Sequence, residues 1–302
     1  MTCAAHRFTY SRVRAPRRSP SKPVKLMIKD VMVRLEGTVA DDLRLAAAAD
    51  IARQFESHVV GLFLNIVPPP LPADPEGAGI AQTALLVEEA RAAGDKIAKL
   101  VTARLAQLGT LVEIRRFDIF ADEIAGVCAR EARSADTFVA LRPNSVPEEP
   151  EHIVENVLFG SGRHLFLVPP GERRKTSFEN VLVAWNGSRE AARALAEALP
   201  YLKTAETVTL CVVDDKPRVN AATLLSADVK KHLEHHGIDA AIHRIASRNR
   251  DVAATLVAEA GRRKADLIVM GGYGHSRLRE WLLGGVTFEL LREAPVPLLV
   301  AH

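Results

Sequence analysis

The chain has 302 residues, 48% of them hydrophobic and 25% charged, a composition typical of one large or two ordinary globular domains. Its three cysteines, Cys3, Cys128 and Cys211, suit neither a disulfide framework nor a metal site, because they are odd in number and far apart. No apolar run reaches the roughly 18 to 20 residues that a membrane-spanning helix needs. We therefore expect a cytoplasmic protein with no membrane partner, in which Cys128 and Cys211 are small core residues.

The first 25 residues, here called the basic head, carry five arginines, two lysines and no acid, which gives a net charge of +7. Because the net charge of the whole chain is +3, the remainder carries a net charge of −4. The head lacks the apolar stretch of a secretory signal and the amphipathic repeat of a transit peptide. Two interpretations stay open. Residues 1–26 are a disordered basic arm, or they are not natural sequence and translation begins at Met27. Finding residues 1–26 intact in the native protein would exclude the second.

Five strands separated by helices are predicted in each half of the chain. Those of the first half lie near residues 30–35, 59–67, 111–117, 136–142 and 164–168. Those of the second half lie near residues 180–185, 206–213, 239–246, 266–271 and 296–301. The charged segment Gly171–Ser177 between the halves is predicted to be a linker. Alternating strands and helices predict an α/β fold with parallel sheets and helices on both faces.

The two halves repeat each other. Asp30–Gly37 (DVMVRLEG) matches Asn180–Gly187 (NVLVAWNG) at an offset of 150 residues. Asp136–Leu141 (DTFVAL) matches Asp266–Gly271 (DLIVMG) at an offset of 130, so the first half carries 20 extra residues in its middle. Both halves close with an apolar strand. Because an exposed apolar edge strand invites aggregation, the two closing strands are expected to lie against each other.

A glycine loop follows the fourth strand of the second half. Gly271, Gly272 and Gly274 stand between the strand Leu267–Met270 and a predicted helix. This arrangement is typical of phosphate binding, because free N–H groups and the helix dipole point at the anion. The alternative is a tight turn whose glycines serve packing alone. In a doubly wound sheet the ligand crevice lies where the winding reverses, so the loop Ala184–Ser188 after strand one is expected to face the glycine loop.

The glycine spacing at Gly271, Gly274 and Gly284, together with the repeat and the motif VLVAWNGS, resembles the universal stress protein family. The resemblance extends from about residue 27 to the end and suggests a tandem two-domain member. It implies two doubly wound five-stranded parallel sheets of Rossmann-like type, with strand order 3-2-1-4-5 and pseudo-two-fold symmetry. The domains would be residues 27–170 and 178–302, paired through their last strands.

The resemblance also implies a site for ATP or a related adenine nucleotide in the second domain. In nucleotide-binding members the glycine motif holds the phosphates, and a residue after strand one, usually Asp, lies near the base and ribose. His275 is added because it follows the loop, where it would meet a phosphate or simply begin a solvated helix. The expected site residues are Ala184, Asn186, Val213, Met270, Gly271, Gly274, His275, Gly284, Gly285, Val286 and Thr287.

The sequence departs from the family pattern at three places. Asn186 offers an amide where a carboxylate is usual. Gly285 lacks the usual hydroxyl, although Thr287 is close by. In the first half Leu141–Asn144 (LRPN) replaces the glycine motif, and its proline removes a donor, so no nucleotide site is expected there.

Two functions remain in view. The first is a stress-response protein that binds an adenine nucleotide in its second domain and acts through a regulatory protein partner. The alternative is an interaction protein with an empty pocket. Without a P-loop or a nucleophile elbow, enzyme activity beyond slow, incidental ATP hydrolysis is not expected, and a hydrolase or transferase using His275 lacks a complete catalytic set. Nucleic acid is not expected as a partner, metal is not indicated by His232, His235 and His236, and homodimerisation stays open.

Overall fold

A computed structural model describes residues 9–13, 28–72, 78–143, 149–171, 177–214, 221–247, 251–272 and 285–302. Contacts divide the chain into two compact units, Met1–Val139 and Ala140–His302. Each unit is a mostly parallel sheet with helices, which gives the α/β, Rossmann-like fold that the sequence predicts. Within the described residues no helix is both long and apolar enough to cross a membrane.

The first unit begins with an antiparallel strand and continues with alternating strands and helices. Its elements are β1 (Thr9–Val13), β2 (Asp30–Leu35), α1 (Ala40–Phe55), β3 (His58–Ile66), α2 (Ala78–Ala106), β4 (Val112–Ile119), α3 (Ile124–Ala132) and β5 (Thr137–Leu141), whose last two residues belong to the second unit. The strand order is β1-β4-β3-β2-β5. Strand β2 is buried beyond its first residue, as expected for a parallel strand covered on both faces.

Five residues of the basic head form strand β1. They pair antiparallel with β4, from Thr9 opposite Arg116 to Val13 opposite Val112. The prediction of disorder throughout residues 1–26 is therefore wrong for Thr9–Val13. The segment TYSRV is rich in β-branched and aromatic residues, and the outer edge of β4 supplies unpaired backbone groups. The prediction of disorder was based on net charge alone, which reflects neither the β propensity of this segment nor the unpaired edge of β4.

The second unit contains the whole of the second repeat and the last strand of the first. Its remaining elements are α4 (Glu151–Gly160), β6 (His164–Val168), β7 (Asn180–Ala184), α5 (Arg189–Thr204), β8 (Thr207–Asp214), α6 (Ala221–His235), β9 (Ala240–Ala246), α7 (Val252–Arg262), β10 (Leu267–Gly271), α8 (Val286–Glu293) and β11 (Leu298–Ala301). The strand order is β6-β11-β10-β7-β8-β9. Strands β7 to β11 thus have the predicted order 3-2-1-4-5.

The two closing strands lie against each other, as predicted. Strand β6 pairs antiparallel with β11, with Phe166 opposite Leu299 and Leu165 opposite Val300. The paired residues are buried, and the Phe166 ring stacks on that of Tyr201 from α5 at 6.2 Å between centroids. The apolar edges that would otherwise expose backbone groups therefore cover one another.

Helices cover both faces of the second sheet. His243 and Arg244 are consecutive on β9, so their side chains point to opposite faces. Arg244 Nη2 donates to Ser226 Oγ of α6 at 3.2 Å, whereas His243 Nε2 lies 3.0 Å from Glu259 Oε1 of α7. Helices α6 and α7 therefore lie on opposite faces, which is the doubly wound arrangement that the sequence predicts.

Candidate functional site

The winding of the second sheet reverses between β7 and β10, where the sequence places the crevice. Ala184 at the end of β7 lies opposite Met270 of β10 on one side and opposite Cys211 of β8 on the other. Val213 follows two residues after Cys211 and points to the same face. Met270 is buried, while Ala184 and Val213 are half-buried. The structure thus brings three predicted site residues to one edge of the sheet.

The loop after β7 is a hydrogen-bonded turn that starts helix α5. Asn186 Oδ1 accepts from Ser188 N at 3.0 Å, and Gly187 takes a φ of 76° between them. Ser188 Oγ then accepts from Ala191 N at 3.1 Å and caps the helix. Because the Asn186 oxygen is used inside the turn, its exposed amide NH2 is the group that this side chain offers a ligand.

Trp185 is a residue of this loop that the sequence analysis did not select. Its side chain is only 6% exposed, yet its Nε1–H has no hydrogen-bond partner among the described residues. A buried indole N–H usually has an acceptor. Its position directly after strand one, within the motif VLVAWNGS, is the signal that would have included it.

The first two glycines of the glycine loop lie close to neighbouring atoms. A Cβ on Gly271 would lie 2.5 Å from Ala191 N and from Glu190 C, in the first turn of α5. A Cβ on Gly272 would lie 2.8 Å from Val300 Cγ1, and Gly272 N already donates to Ala301 O at 2.8 Å. Neither glycine has the positive φ that a conformational reason would require. At Gly271 the packing interpretation accounts for glycine, because the atoms that a Cβ would meet belong to the backbone of α5.

Helix α8 begins at a residue without a side chain. Gly285 is its N-cap, with φ −76° and ψ 160°, and no described side chain caps the helix, in contrast to Ser188 at α5 and Asp251 at α7. Val286 is half-buried, and Thr287 is 4% exposed, so the Thr287 hydroxyl lies largely inside the unit. The start of α8 leaves its first N–H groups to water or to an anion.

A buried carboxylate distinguishes the start of α5 from that of α8. Glu190 lies in the first turn of α5, is 2% exposed and pairs with Arg189. Burial raises the pKa of Glu190, but the hydrogen bond and charge of Arg189 lower it by a larger amount. The net shift is downward, so the carboxylate stays ionised. This charge disfavours a phosphate at α5, whereas the first turn of α8 has its acid, Glu289, further along.

The remaining predicted site residues, Gly274, His275 and Gly284, lie outside the described residues.

In the first repeat, a buried arginine stands where the second repeat has its glycine loop. Arg142 follows β5, is 4% exposed and donates from Nη1 to Ala294 O at the end of α8, at 2.6 Å. Burial lowers the pKa of Arg142. The nearby Glu149 is fully buried and accepts from Leu141 N at 3.4 Å. Among the described residues, this position in the first repeat is thus occupied by the buried side chains of Arg142 and Glu149.

Among the side chains that can be placed, no three His, Cys, Asp or Glu residues are arranged to hold a metal ion. His232 and His235, which the sequence places on one face of a helix, are both exposed. The ring of His232 instead contacts that of His236, one turn further on, at 4.8 Å between centroids.

Three comparisons relate the chain to known proteins. Residues 177–302 match the model of the Universal stress protein family. A search among curated proteins found no match.

Solved structures extend the likeness of fold to most of the chain. A universal stress protein from Archaeoglobus fulgidus superposes with a TM-score of 0.66 at 18% identity, covering 90% of this chain and 95% of that one. A putative universal stress protein from Pseudomonas aeruginosa does so with a TM-score of 0.54 at 15% identity, covering 91% and 93%. At these identities the superpositions show a shared fold, whereas the family assignment comes from the sequence match in the second half. Residues 177–302 therefore form a domain of the universal stress protein family.

Proposed function

We propose that the second domain binds an adenine nucleotide at the carboxyl edge of β7 and β10, and that the protein acts through a regulatory protein partner. The observation that carries this proposal is the reversal of the winding between β7 and β10, at Ala184 and Met270. Helix α8, whose start has no side-chain cap among the described residues, lies in the connection from β10 to β11. Helix α8 ends only a few residues before β11, so it returns to the amino end of that strand and begins near the carboxyl edge.

The two sides of the crevice suit different parts of a nucleotide. The start of α8 at Gly285 and Val286 offers N–H groups and a positive dipole end to phosphates. Across from it, Ala184 and Val213 offer partly exposed apolar surface to a base, and the Asn186 amide offers donors to the base or ribose. The N–H of buried Trp185, which has no partner among the described residues, would be a further donor if it faces this edge.

The same geometry supports one nucleotide site per chain. In the first repeat Arg142 occupies the position after strand four and donates to Ala294. We propose that residues 27–170 and 178–302 are two copies of one domain, of which only the second binds nucleotide. A cytoplasmic location, a binding rather than catalytic role and association into homodimers belong to the same proposal.

Two substitutions at one glycine test the site by calorimetry on the full chain. Gly285→Asp places a favoured N-cap residue at the start of α8, so it should not lower stability. Its carboxylate would occupy the anion position, however, and ATP binding should weaken at least tenfold. Gly285→Ser is the matched control, because it caps the helix without a charge and adds a hydroxyl donor. It should bind ATP as tightly as the wild type or more tightly.

The outcomes separate the two functions. Binding of one ATP per chain that Gly285→Asp abolishes supports the nucleotide site. ATP binding that is unchanged in Gly285→Asp contradicts the placement of the phosphates. No heat and no thermal shift with ATP, ADP or AMP at millimolar concentration favours the second candidate, an interaction protein with an empty pocket. Two observations favour that candidate, namely the Asn186 oxygen satisfied within its own turn and the missing hydroxyl at Gly285.

A further inference from the structure

Strand β9 forms an edge of the second sheet. It pairs with β8 from Val208 opposite Ala240 to Asp214 opposite Ala246, and no other described strand pairs with it. Ala241, Arg244 and Ala246 are exposed along this strand. Its outer edge therefore presents backbone N–H and C=O groups beside exposed side chains, which is a template for an added strand.

The equivalent edge in the first unit already carries an added strand. Strand β4 has the same place in the first repeat, and β1 pairs with it antiparallel over five residues. The added segment is short, and it comes from far away in the chain. An edge of this shape in this protein thus accepts an antiparallel strand.

The charges of the two edges differ. On β4, Arg115 pairs with Glu113 and Glu131, and Arg116 pairs with Asp95 and Asp118. The two edge strands can be aligned through their pairing with the neighbouring inner strand. Val112 of β4 lies opposite Val59, and Ala240 of β9 lies opposite Val208, so Val112 and Ala240 are equivalent positions. In this alignment His243 and Arg244 of β9 are equivalent to Arg115 and Arg116 of β4, while Ala241 and Ala246 are equivalent to Glu113 and Asp118. Strand β9 keeps the basic positions and has lost both acids of the strand itself.

A cleft of about 680 Å³ lies beside this edge, between β9 and α7. Its lining includes His243, Ser247, Thr255, Ala258 and Arg262, and among the described residues no acidic side chain lines it.

Buried Glu259 lies beneath the cleft, 3.0 Å from His243 Nε2, and also pairs with Arg262 and Arg263. Burial raises the pKa of Glu259, but the hydrogen bond from Arg263 and the charges of His243, Arg262 and Arg263 lower it by a larger amount. One buried negative charge thus faces the two positive charges of Arg262 and Arg263, so the sum of these groups stays positive.

We propose that an extended acidic segment of a partner protein binds along β9 as an added antiparallel strand. Alternate side chains of that segment would enter the cleft towards Arg262, and those between them would reach Arg244 on the opposite face. Backbone hydrogen bonds to β9 give the affinity, and the basic side chains select acidic partners. This surface is separate from the nucleotide crevice and does not depend on its occupancy.

Charge argues against a second copy of the chain as the occupant. Two β9 strands paired antiparallel would bring the same arginine-bearing edges together, and like charges across a strand pair are destabilising. A strand β1 from another copy carries Arg12 and no acid. An acidic segment is the partner whose charge complements this edge.

Fluorescence anisotropy with the full chain tests the proposal. The probe is a fluorescein-labelled peptide of alternating glutamate and valine, and the control peptide alternates lysine and valine. We expect saturable, salt-sensitive binding of the acidic peptide alone. A version with N-methylated alternate amides keeps the charge but cannot complete a strand, so its binding should be lost. Equal binding of the lysine peptide, equal binding of the methylated peptide, or no binding of the acidic peptide at millimolar protein would each overturn the proposal.

Substitutions on the edge locate the binding. Ala241→Glu with Ala246→Glu restores acids where β4 has them, at exposed positions that do not endanger folding. Binding of the acidic peptide should weaken at least about tenfold through like-charge repulsion. Ala192→Glu with Ala196→Glu on the exposed face of α5 makes the same charge change elsewhere and should leave binding unchanged. Equal loss in both double variants, or displacement of the peptide by single-stranded DNA at equal charge concentration, would contradict binding as a strand on β9.

Discussion

Replacing Gly271 with alanine is expected to destabilise the second unit by about 1 to 2 kcal/mol. The new Cβ would lie 2.5 Å from two backbone atoms of α5, whereas ordinary contacts begin at 3.4 Å. The start of α5 would have to move by the difference, 0.9 Å. Overpacking of this kind costs about 1 to 3 kcal/mol. The loss of unfolded-state freedom at an alanine offsets about 0.4 to 1 kcal/mol of that.

Gly61 provides the matched control in the first unit. A Cβ there would also lie 2.5 Å from its nearest neighbour, but that atom is Leu105 Cδ1, and the next is Leu35 Cδ1 at 3.0 Å. Both atoms are ends of flexible side chains, which adjust more cheaply than a helix backbone. Gly61→Ala should therefore change the free energy of unfolding by less than about 1 kcal/mol.

Urea unfolding followed by two signals distinguishes the variants. Both tryptophans of the sequence, Trp185 and Trp281, lie within residues 140–302, so tryptophan fluorescence reports this part of the chain, while far-ultraviolet circular dichroism reports both units. Gly271→Ala should lower the fluorescence midpoint and should also weaken ATP binding, because the start of α5 moves at the edge of the crevice. Wild-type stability in Gly271→Ala, or a larger loss in Gly61→Ala, would refute packing as the reason for this glycine.

Three further outcomes follow from the second unit. Ser188→Ala removes the acceptor for Ala191 N and should cost about 1 kcal/mol in urea unfolding, whereas Ser188→Asp should restore the cap. Burial raises the pKa of Glu197, but the hydrogen bond and charge of His164 and the charge of Arg193 lower it by a larger amount. The contribution of Glu197 to the free energy of unfolding is therefore complete above pH 4.5 and is lost as the pH falls through the lowered pKa. Glu197→Gln should flatten this loss of stability at low pH, and an unchanged pH profile would exclude this carboxylate as its source. Burial raises the pKa of Cys211 to about 12, so alkylation at pH 8 with peptide mapping should label it only after unfolding.

The repeat was predictable from the sequence because it depends on local patterns, whereas the strand order was implied by the resemblance to the universal stress protein family. Alternating apolar runs and alanine-rich helices reveal strands and helices, and topological rules then limit the ways in which they assemble. The pairing of β6 with β11 was predictable for a related reason, since two apolar strands such as Leu165–Val168 and Leu298–Val300 need cover.

Features that depend on contacts between distant residues were not predictable. The glycine at Gly271 looks like a ligand-binding glycine in the sequence, and only the position of Ala191 in space shows that it is needed for packing. Likewise, the loss of the glycine motif was visible in the first repeat, but the bond from Arg142 to Ala294 spans 152 residues. Strand β1 was hidden by its basic surroundings, because its stability comes from the edge of β4.

Photo-crosslinking with azido-ATP tests the nucleotide site most directly. The probe attaches to residues beside the bound base, and trypsin then separates the ends of β7 and β10 into the peptides Thr176–Arg189 and Ala265–Arg277. We expect adducts in one or both of these peptides, protected by unlabelled ATP and absent in Gly285→Asp. Adducts confined to residues 27–170, or adducts that unlabelled ATP does not prevent, would contradict a nucleotide site at the carboxyl edge of β7 and β10.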